Sequence, residues 1–407
     1  MGRLTISQRA QNTPASAIRK LTPLADRAKK RGIKIYHLNI GQPDLPTPPS
    51  ITRYIRNFDR QTLEYAPSQG MKEAVYAWQK FYHNKGIDLD LDDIIVTSGG
   101  SEGLLFVFFS ICDPGDELLL LEPFYTSYAI IAGMGNIKIK PIKTEVETGY
   151  HLPKRELIEK AITKKTKAIL LCNPNNPTGT LYTKSETQTL VEIALKHNLF
   201  IISDETYQEI VFDNQKVTPF FSFKKIRDRL IICDSVSKRF NSCGARVGSV
   251  VSKNKDVMSA ILRFGQGRLS VATMEQLAVC EILRDHKAYT EKIKKIYQKR
   301  RDVVVSELKK IPGVSFQIPE GAFYIMPKIP VSDSDDFAKF LLNDFSNRHE
   351  TVMIAPASGF YSSAKLGKDE IRIAYVLEEK KLKRAIELLG MGIEEYRKRE
   401  RINELKN

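Results

Sequence analysis

The segment NPNNPTG occupies residues 173–179, directly after the apolar run KAILLC at residues 167–172. The apolar run is typical of a buried strand, so a polar loop starts where this strand ends. In open α/β sheets, ligands bind at the carboxyl ends of the strands. The two segments together predict one strand of such a sheet with a candidate binding loop at its end.

Apolar runs of the same kind alternate with helical stretches on both sides of this loop. Strands are predicted at residues 94–98, 117–121, 137–142, 167–172, 199–204 and 229–234. Helices are predicted from Glu102, from Tyr125 and over residues 184–197. Strands this uniformly apolar are typical of a mainly parallel sheet that helices cover on both faces, so the predicted fold class is α/β.

The length of 407 residues favours two unequal domains. We expect an N-terminal arm and part of a small domain at residues 1–48, a large domain at 49–295, and the rest of the small domain at 296–407. Further helices are predicted over residues 14–31 and 274–310, and from Asp335 and Glu378. Short strands are predicted near Val314, Ala322, Val352 and Ile371.

The composition is that of a soluble globular protein, with 42% hydrophobic and 27% charged residues. No apolar run reaches the roughly 18 residues that a membrane span needs, and the start MGRLTISQRAQ lacks the apolar stretch of a secretory signal. We therefore expect a cytoplasmic protein with no membrane partner.

The formal net charge of +15 raises the question of a nucleic-acid partner. Lys and Arg are spread along helical stretches and interleaved with Glu, which favours a solvated basic surface and no nucleic acid. The cysteines are scattered without CxxC pairing, so we interpret them as buried free thiols and expect no metal site. They are Cys112, Cys172, Cys233, Cys243 and Cys280.

Polar clusters follow four of the predicted strands. They are SGGSE at residues 98–102, NPNNPTG at 173–179, DETY at 204–207 and SVSK at 235–238. Small residues between a strand and a helix let backbone N–H groups and the helix dipole face a phosphate, although a Gly-Gly pair is also typical of a tight turn. The first cluster has neither a GxGxxG nor a GxxxxGK[ST] pattern, which argues against the usual dinucleotide and nucleoside-triphosphate folds.

The SVSK cluster gives the sharpest chemical signal. Lys238 comes straight after a strand, with hydroxyls at Ser235 and Ser237 before it and Arg246 eight residues later. An amine is a useful nucleophile when neighbouring cations and partial burial lower its pKa. We therefore predict that Lys238 lies beside an anion pocket in a cofactor site, whereas most other lysines lie on the surface.

The segments NPNNPTG, SDETY, SVSK and GARVG match the class I and II aminotransferases of the aspartate aminotransferase fold in their order and spacing. The resemblance extends over nearly the full chain. It implies the fold type I of enzymes that use pyridoxal 5'-phosphate (PLP), with a seven-stranded type of sheet and a small domain made from both termini. It also implies an aminotransferase with PLP as cofactor, acting as a homodimer with shared active sites.

By this resemblance, Lys238 holds PLP as a Schiff base and moves the substrate's proton, and Asp204 pairs with the pyridine nitrogen. Tyr207 and Asn176 bind the O3' oxygen, and Tyr125 stacks on the ring. The phosphate is assigned to the backbone of Gly100, Ser101 and Glu102, to Ser235, Ser237 and Arg246, and to Tyr65 of the neighbouring subunit.

For the substrate, the resemblance implies that Arg372 clamps the α-carboxylate, with Gly41 and Asn176 beside it. Without the family, Arg372 alternates with Ile371 and Ile373 in a strand, where a structural ion pair is the competing interpretation.

The sequence favours aspartate and 2-oxoglutarate as substrates and leaves others open. Arg268 is the candidate for a second substrate carboxylate, although Arg263 or a surface role explains its presence equally well. Ser101 replaces the lysine of some bacterial relatives, and Tyr125 replaces a tryptophan, so aromatic, branched-chain or alanine donors remain open. A PLP-dependent lyase of the same fold would keep every cofactor residue. A DNA-binding regulator would need an added module, for which the chain has no room before the first motif.

Overall fold

The computed structural model describes residues 4–404. The helices are α1 Gln8–Asn12, α2 Thr22–Lys30, α3 Pro49–Arg56, α4 Lys72–His83, α5 Gly100–Ile111, α6 Thr126–Met134, α7 Arg155–Ala161, α8 Lys184–Lys196, α9 Val236–Arg239, α10 Lys255–Arg268, α11 Thr273–Ala278, α12 Cys280–Arg284, α13 Lys287–Leu308, α14 Ser334–Asn343 and α15 Glu379–Glu404. The strands are β1 Lys34–His37, β2 Ile94–Thr97, β3 Glu117–Glu122, β4 Lys138–Lys143, β5 Thr166–Cys172, β6 Phe200–Asp204, β7 Leu230–Ser235, β8 Gly248–Val251, β9 Tyr324–Ile325, β10 Glu350–Met353, β11 Ala355–Pro356 and β12 Ile371–Ala374.

Strands β2 to β8 form the central sheet in the order β2-β8-β7-β6-β5-β3-β4. Strand β8 runs antiparallel to β2 and β7, and the other pairs are parallel. The prediction of a mainly parallel α/β sheet is therefore confirmed. The sequence prediction missed β8, whose GSVV sequence is too short to form a distinct apolar run.

Each face of this sheet is covered by its own helices. Leu118 and Leu120 of β3 join one apolar core with α5, α6 and α10, whereas Leu119 and Leu121 join another core with α4 and α8. Successive side chains of a strand point to opposite faces, so strands buried on both sides read as continuous apolar runs.

A third core combines residues from both ends of the chain. Leu38 and Ala25 pack there with α13, α14 and α15. Strand β1 pairs in parallel with β10, and the Leu38 carbonyl accepts a hydrogen bond of 2.8 Å from the backbone N–H of Ala374 in β12. The loop that follows β1 is thereby held beside the strand that carries Arg372. Across residues 4–404, no helix has the length and apolar character needed to cross a membrane.

Two long predicted helices are shorter in the structure. The helix predicted over residues 14–31 begins only at Thr22, because Pro23 can occupy the first turn of a helix but not its interior. The helix predicted over residues 274–310 is broken after Ala278 and again at Asp285 and His286. The second break lets α12 pack on α4 while α13 packs on α15.

Smaller differences concern element ends. The strand predicted near Val314 is reduced to an isolated bridge between Ser315 and Lys328. Helix α5 begins at Gly100 rather than at Glu102. This earlier start matters, because the first backbone N–H groups of a helix have no partner within it and remain free for a ligand.

A buried ion pair closes the turn between β7 and α9. Arg239 and Asp234 are both fully buried, and Nη1 of the guanidinium lies 3.0 Å from Oδ1 of the carboxylate. The Arg239 guanidinium also stacks 4.5 Å from the ring centre of Phe81. Because Lys238 directly precedes Arg239, this pair fixes the backbone from which the candidate catalytic lysine projects.

Glu205 lies close to this pair and is 1% exposed. Its Oε1 accepts a hydrogen bond of 3.2 Å from the Ser203 hydroxyl, and its Oε2 has no hydrogen-bond partner within residues 4–404. Burial, reinforced by the charge of Asp234, raises the pKa of Glu205 to about 7, against the opposing charges of Lys85 and Arg239.

Replacing Arg239 by alanine is expected to lower the free energy of unfolding by about 3–5 kcal/mol, because Asp234 would be left buried without its cation. Urea denaturation measures the change. The matched control is Arg53→Ala, which removes an exposed pair with Glu281 and should cost less than about 1 kcal/mol. Equal losses in the two variants would contradict a structural role for the buried pair.

Glu205→Gln is expected to change how stability depends on pH. The folded pKa of about 7 lies above the ordinary value of 4.5, so the stability that Glu205 contributes is complete below pH 4.5 and is lost as the pH rises through 7. The variant should therefore gain stability over the parent between pH 5 and 8, on the order of 2 kcal/mol. Unfolding in urea at several pH values tests this, with exposed Glu281→Gln as control. Parallel curves for parent and Glu205→Gln would refute it.

Candidate active site

The carboxyl ends of β5, β6 and β7 and the first turn of α5 surround one cavity. It is lined by Gly100, Ser101, Leu104, Tyr125, Tyr128, Cys172, Asn176, Asp204, Thr206, Tyr207, Ser235, Ser237, Lys238, Cys243 and Arg246. Most of the site residues predicted from the sequence are in this set, so the four polar clusters do meet at one edge of the sheet. Glu102, Gly41, Arg372 and Tyr65 are not among the lining residues.

Lys238 projects into this cavity from the short helix α9. Its Nζ donates a hydrogen bond of 2.6 Å to the Gly41 carbonyl and lies 3.5 Å from Sγ of Cys243. Burial lowers the pKa of Lys238, and the charges of Arg372 and Arg246 act in the same direction, while Cys243 opposes them. A lowered pKa increases the fraction of neutral amine, which is the nucleophilic form.

Next to Lys238 lies a group of hydrogen-bond donors that can bind an anion. This anion corner consists of the first turn of α5, Ser235, Ser237 and Arg246. Gly99 has φ +79°, and α5 begins directly after it, so free backbone N–H groups of the first turn face the cavity. The Ser235 and Ser237 hydroxyls are 2.8 Å apart. A Cβ at Gly99 would lie 2.6 Å from Nη2 of Arg246, so only glycine lets the guanidinium approach this turn. Donors and positive charge together suit a phosphate.

Asp204 lies at the end of β6 and is 5% exposed. Its carboxylate accepts hydrogen bonds from the Tyr128 hydroxyl at 2.6 Å and from the Thr206 backbone N–H at 3.1 Å. Burial raises the pKa of Asp204, and these two hydrogen bonds oppose the rise. A buried carboxylate is stabilised by a cationic partner, and a protonated ring nitrogen would be such a partner.

Arg372 lies 1% exposed on β12 and reaches the site through Asn176. Its Nη1 donates to the Asn176 Oδ1 at 3.0 Å, and its Nη2 donates to the Asn39 carbonyl at 2.7 Å. Within residues 4–404, this guanidinium donates to an amide oxygen and a backbone carbonyl and forms no ion pair with a carboxylate, and its Nε has no hydrogen-bond partner. Among the described residues, Arg372 therefore has no partner for the structural ion pair that was the competing interpretation. Its buried positive charge suits a carboxylate ligand.

Asn176 and Tyr207 are neighbours in the cavity wall. Nδ2 of Asn176 donates to the Tyr207 hydroxyl at 3.4 Å, and this hydroxyl lies 2.9 Å from that of Tyr324. Burial raises the pKa of Tyr207 well above its usual value. The phenol is therefore protonated at neutral pH and is available as a donor.

Three residues that the sequence associates with the site lie elsewhere in this chain. Tyr65 is 82% exposed. Glu102 directs Oε2 to the Ser98 backbone N–H at 2.7 Å. The guanidinium of Arg268 is directed to Glu102 at 3.5 Å and to the carbonyls of Ser68 and Val96. Arg268 does not line the cavity, and within residues 4–404 its Nε and Nη1 have no hydrogen-bond partner.

Sequence reasoning missed several residues of the cavity. Cys172 is the last residue of β5, and Thr206 stands inside the DETY cluster, so the strand-end rule could have found both. Tyr128 lies one helical turn after Tyr125 and could have been found from that spacing. Cys243 is only half-buried and lines the cavity, which corrects the interpretation of all cysteines as buried. Cys112 is also half-buried.

Comparison with known proteins gives one consistent result. A family model described as aminotransferase class I and II matches residues 33–389. The aspartate aminotransferase of Pyrococcus horikoshii is 32% identical over 384 residues, which cover 92% of this chain and 94% of that protein.

Solved structures agree with this match. Thermus thermophilus aspartate aminotransferase with maleate has a TM-score of 0.87 at 27% identity and covers 96% of this chain and 100% of its own. An alanine aminotransferase from Pyrococcus furiosus has a TM-score of 0.88 at 31% identity, with the same coverage. Because the family model and these proteins each span most of its length, this chain belongs to the class I and II aminotransferases.

Proposed function

We propose that this chain is a PLP-dependent aminotransferase that moves an amino group from an L-amino acid to a 2-oxo acid, with Lys238 as the residue that holds the cofactor. The observation that carries the proposal is the position of Lys238. Its amine, with a lowered pKa, shares one cavity with an anion corner at Arg246 and a buried carboxylate at Asp204. The amine would bind the aldehyde of one cofactor, the anion corner its phosphate, and the carboxylate its ring nitrogen.

The residues present fit PLP at each of its polar groups. The first turn of α5, the Ser235 and Ser237 hydroxyls and Arg246 would hold the phosphate. Asp204 would hold the ring nitrogen, Tyr207 and Asn176 would bind the phenolic oxygen, and Tyr125 would stack on the ring. When bound, PLP supplies an aldehyde that condenses with amines and a ring that withdraws electrons from the substrate's Cα.

The chain's own groups would then handle protons and charge. Lys238, as a neutral amine, would remove the proton from the substrate's Cα and return a proton during the transfer. Asp204 would keep a proton on the ring nitrogen, since its buried carboxylate favours a cation beside it. The Tyr207 phenol would donate to the phenolic oxygen and stabilise negative charge there.

Arg372 would orient the substrate. A guanidinium presents a planar fork that matches a carboxylate, and Arg372 is already held in place by Asn176 and by the Asn39 carbonyl. Gly41 would donate its backbone N–H to the same α-carboxylate. Its carbonyl accepts a hydrogen bond from Lys238, which places Gly41 beside the amine. These groups would fix Cα within reach of the Lys238 amine.

We also propose a homodimer in which Tyr65 reaches the phosphate of the neighbouring subunit. Tyr65 and Leu63 are 82% and 70% exposed, so a second subunit could cover them. For the domains, we propose residues 1–48 with 296–407 as the small domain and residues 49–295 as the large one. The third core supports the grouping of the two ends of the chain, and it also includes residues of the proposed large domain such as Tyr207 and Phe212.

Aspartate with 2-oxoglutarate is the proposed substrate pair. The names of the Pyrococcus horikoshii and Thermus thermophilus relatives support it. Alanine, an amino donor with one carboxylate, is the second candidate, because the similar Pyrococcus furiosus protein is named an alanine aminotransferase. A lyase of the same fold would use the same cofactor residues and would be recognised by its products.

Lys238→Ala is expected to reduce the transamination rate by at least about 10³-fold, because both the cofactor's attachment and the proton transfer at Cα would be lost. A coupled assay of 2-oxo acid formation measures the rate. Exposed Lys292→Ala serves as the control and should keep the parent's rate. In the parent, borohydride reduction should attach the cofactor covalently to the peptide that contains Lys238. Full activity of Lys238→Ala would overturn the proposal.

The substrate is tested with single amino acids added to the purified holoenzyme in the absence of any 2-oxo acid. The donor that removes the PLP absorbance band fastest identifies the preferred substrate. Aspartate and glutamate are expected to lead, and faster reaction of alanine or an aromatic donor would favour the second candidate. Absence of a PLP absorbance band in the parent protein would show that the proposed cofactor is wrong.

Arg268→Ala separates the two substrate classes further. If Arg268 reads a second carboxylate in the neighbouring subunit, kcat/KM for aspartate should fall at least about tenfold more than that for alanine. Exposed Arg263→Ala is the control. Equal losses for both donors would leave Arg268 with only the contacts to Glu102, Ser68 and Val96 that it makes in its own subunit.

A further inference from the structure

Tyr324 places a buried hydroxyl beside the cavity, and no sequence motif predicted this residue. It is 2% exposed and lies on β9, opposite Ala374 of β12. Its ring packs under the guanidinium of Arg372, with 4.5 Å from Cζ to the ring centre. The same side chain therefore touches the arginine proposed to hold the substrate.

The hydroxyl end of Tyr324 reaches two further site residues. Its oxygen lies 2.9 Å from the Tyr207 hydroxyl. A Cβ at Gly41 would lie 1.8 Å from this oxygen, so the hydroxyl occupies the space that the missing side chain of Gly41 leaves. One tyrosine thus contacts the residues proposed to bind the α-carboxylate and the residue proposed to bind the phenolic oxygen of the cofactor.

The number of protons fixes the direction of the Tyr324–Tyr207 hydrogen bond. Each phenol has one proton and two acceptor positions. Among the described residues, the Tyr207 oxygen is the hydrogen-bond partner of the Tyr324 hydroxyl. If Tyr207 donated to Tyr324, the Tyr324 proton would be buried without an acceptor, which is costly. Tyr324 is therefore the donor.

The Tyr207 oxygen then accepts from both of its neighbours. Asn176 Nδ2 donates at 3.4 Å and Tyr324 donates at 2.9 Å, which fills both acceptor positions. The single proton of Tyr207 is left to point into the cavity. Burial raises the pKa of Tyr324 to about 12, even though Arg372 opposes the rise, so the hydroxyl keeps its proton at neutral pH.

From this geometry we infer that Tyr324 is a positioning residue that directs the Tyr207 proton toward the cofactor's phenolic oxygen and strengthens that hydrogen bond. The inference rests on the proposed function. Donors in a chain polarise one another, so a hydroxyl that accepts two hydrogen bonds donates more strongly. Tyr324 acts through Tyr207 and is not among the residues that line the cavity.

The test is a spectrophotometric pH titration of the bound cofactor in the holoenzyme without substrate. Tyr324→Phe keeps the ring under Arg372 and removes only the hydroxyl. The midpoint of the titration is expected to rise by about half a pH unit, because negative charge on the phenolic oxygen is less stabilised. With Arg372 unchanged, kcat should fall about threefold while KM for the amino acid stays nearly constant.

A double-variant cycle shows whether Tyr324 acts through Tyr207. Tyr207→Phe should raise the midpoint further than Tyr324→Phe does, and the combined variant should match Tyr207→Phe alone. If the Tyr324→Phe shift appears in full on top of Tyr207→Phe, Tyr324 acts by another route and the inference is wrong.

Tyr150→Phe is the matched control. Tyr150 is also 2% exposed, and its hydroxyl donates to Glu370 at 3.0 Å, outside the cavity. Its midpoint should equal that of the parent, and an equal rise in Tyr150→Phe would show a general effect of removing a buried hydroxyl. If the parent shows no cofactor band, the proposed function fails. If the band is present and Tyr324→Phe leaves the midpoint unchanged, only the present inference fails.

Discussion

The structure depends on one constraint: β5, β6 and β7 are apolar on both faces and must run parallel between two layers of helices. Parallel strands end at the same edge of the sheet, so the polar residues at their carboxyl ends lie close together. Asn176, Asp204 and Lys238 are far apart in sequence and meet in one cavity for this reason. The antiparallel strand β8 begins at this same edge, opposite Ser235 of β7, so Arg246, two residues before β8, lies there as well.

Much of this arrangement could be predicted from the sequence. The apolar runs indicated the sheet, and the rule that ligands bind at strand ends indicated Asp204 and Lys238 before any family was considered. Recognition of the motifs then added residues at a distance, such as Arg372. The helix ends were less accurate, because Pro23 and the packing of α12 against α4 override a pattern that reads as a longer helix.

The remaining parts of the site follow from packing that no local pattern encodes. Tyr324 stands in a two-residue strand, and its importance depends on Gly41, some 280 residues earlier, leaving space for its hydroxyl. Arg239 carries a charge beside Lys238 and could be read as exposed, whereas Asp234 and Phe81 make it one of the largest fully buried side chains. In both cases the deciding partner comes from another element.

The third core has a thermodynamic consequence. Arg372, Tyr324 and the loop with Gly41 belong to or adjoin this core, whereas Lys238, Asp204 and Arg246 belong to the sheet and its flanking turns. A molecule that binds both groups adds contacts between them to those that the third core already makes, since this core also contains Cys172 and Tyr207 of the cavity wall. Occupancy by such a ligand adds its binding free energy to the folded state alone. Heat would then unfold the liganded chain at a higher temperature than the unliganded chain.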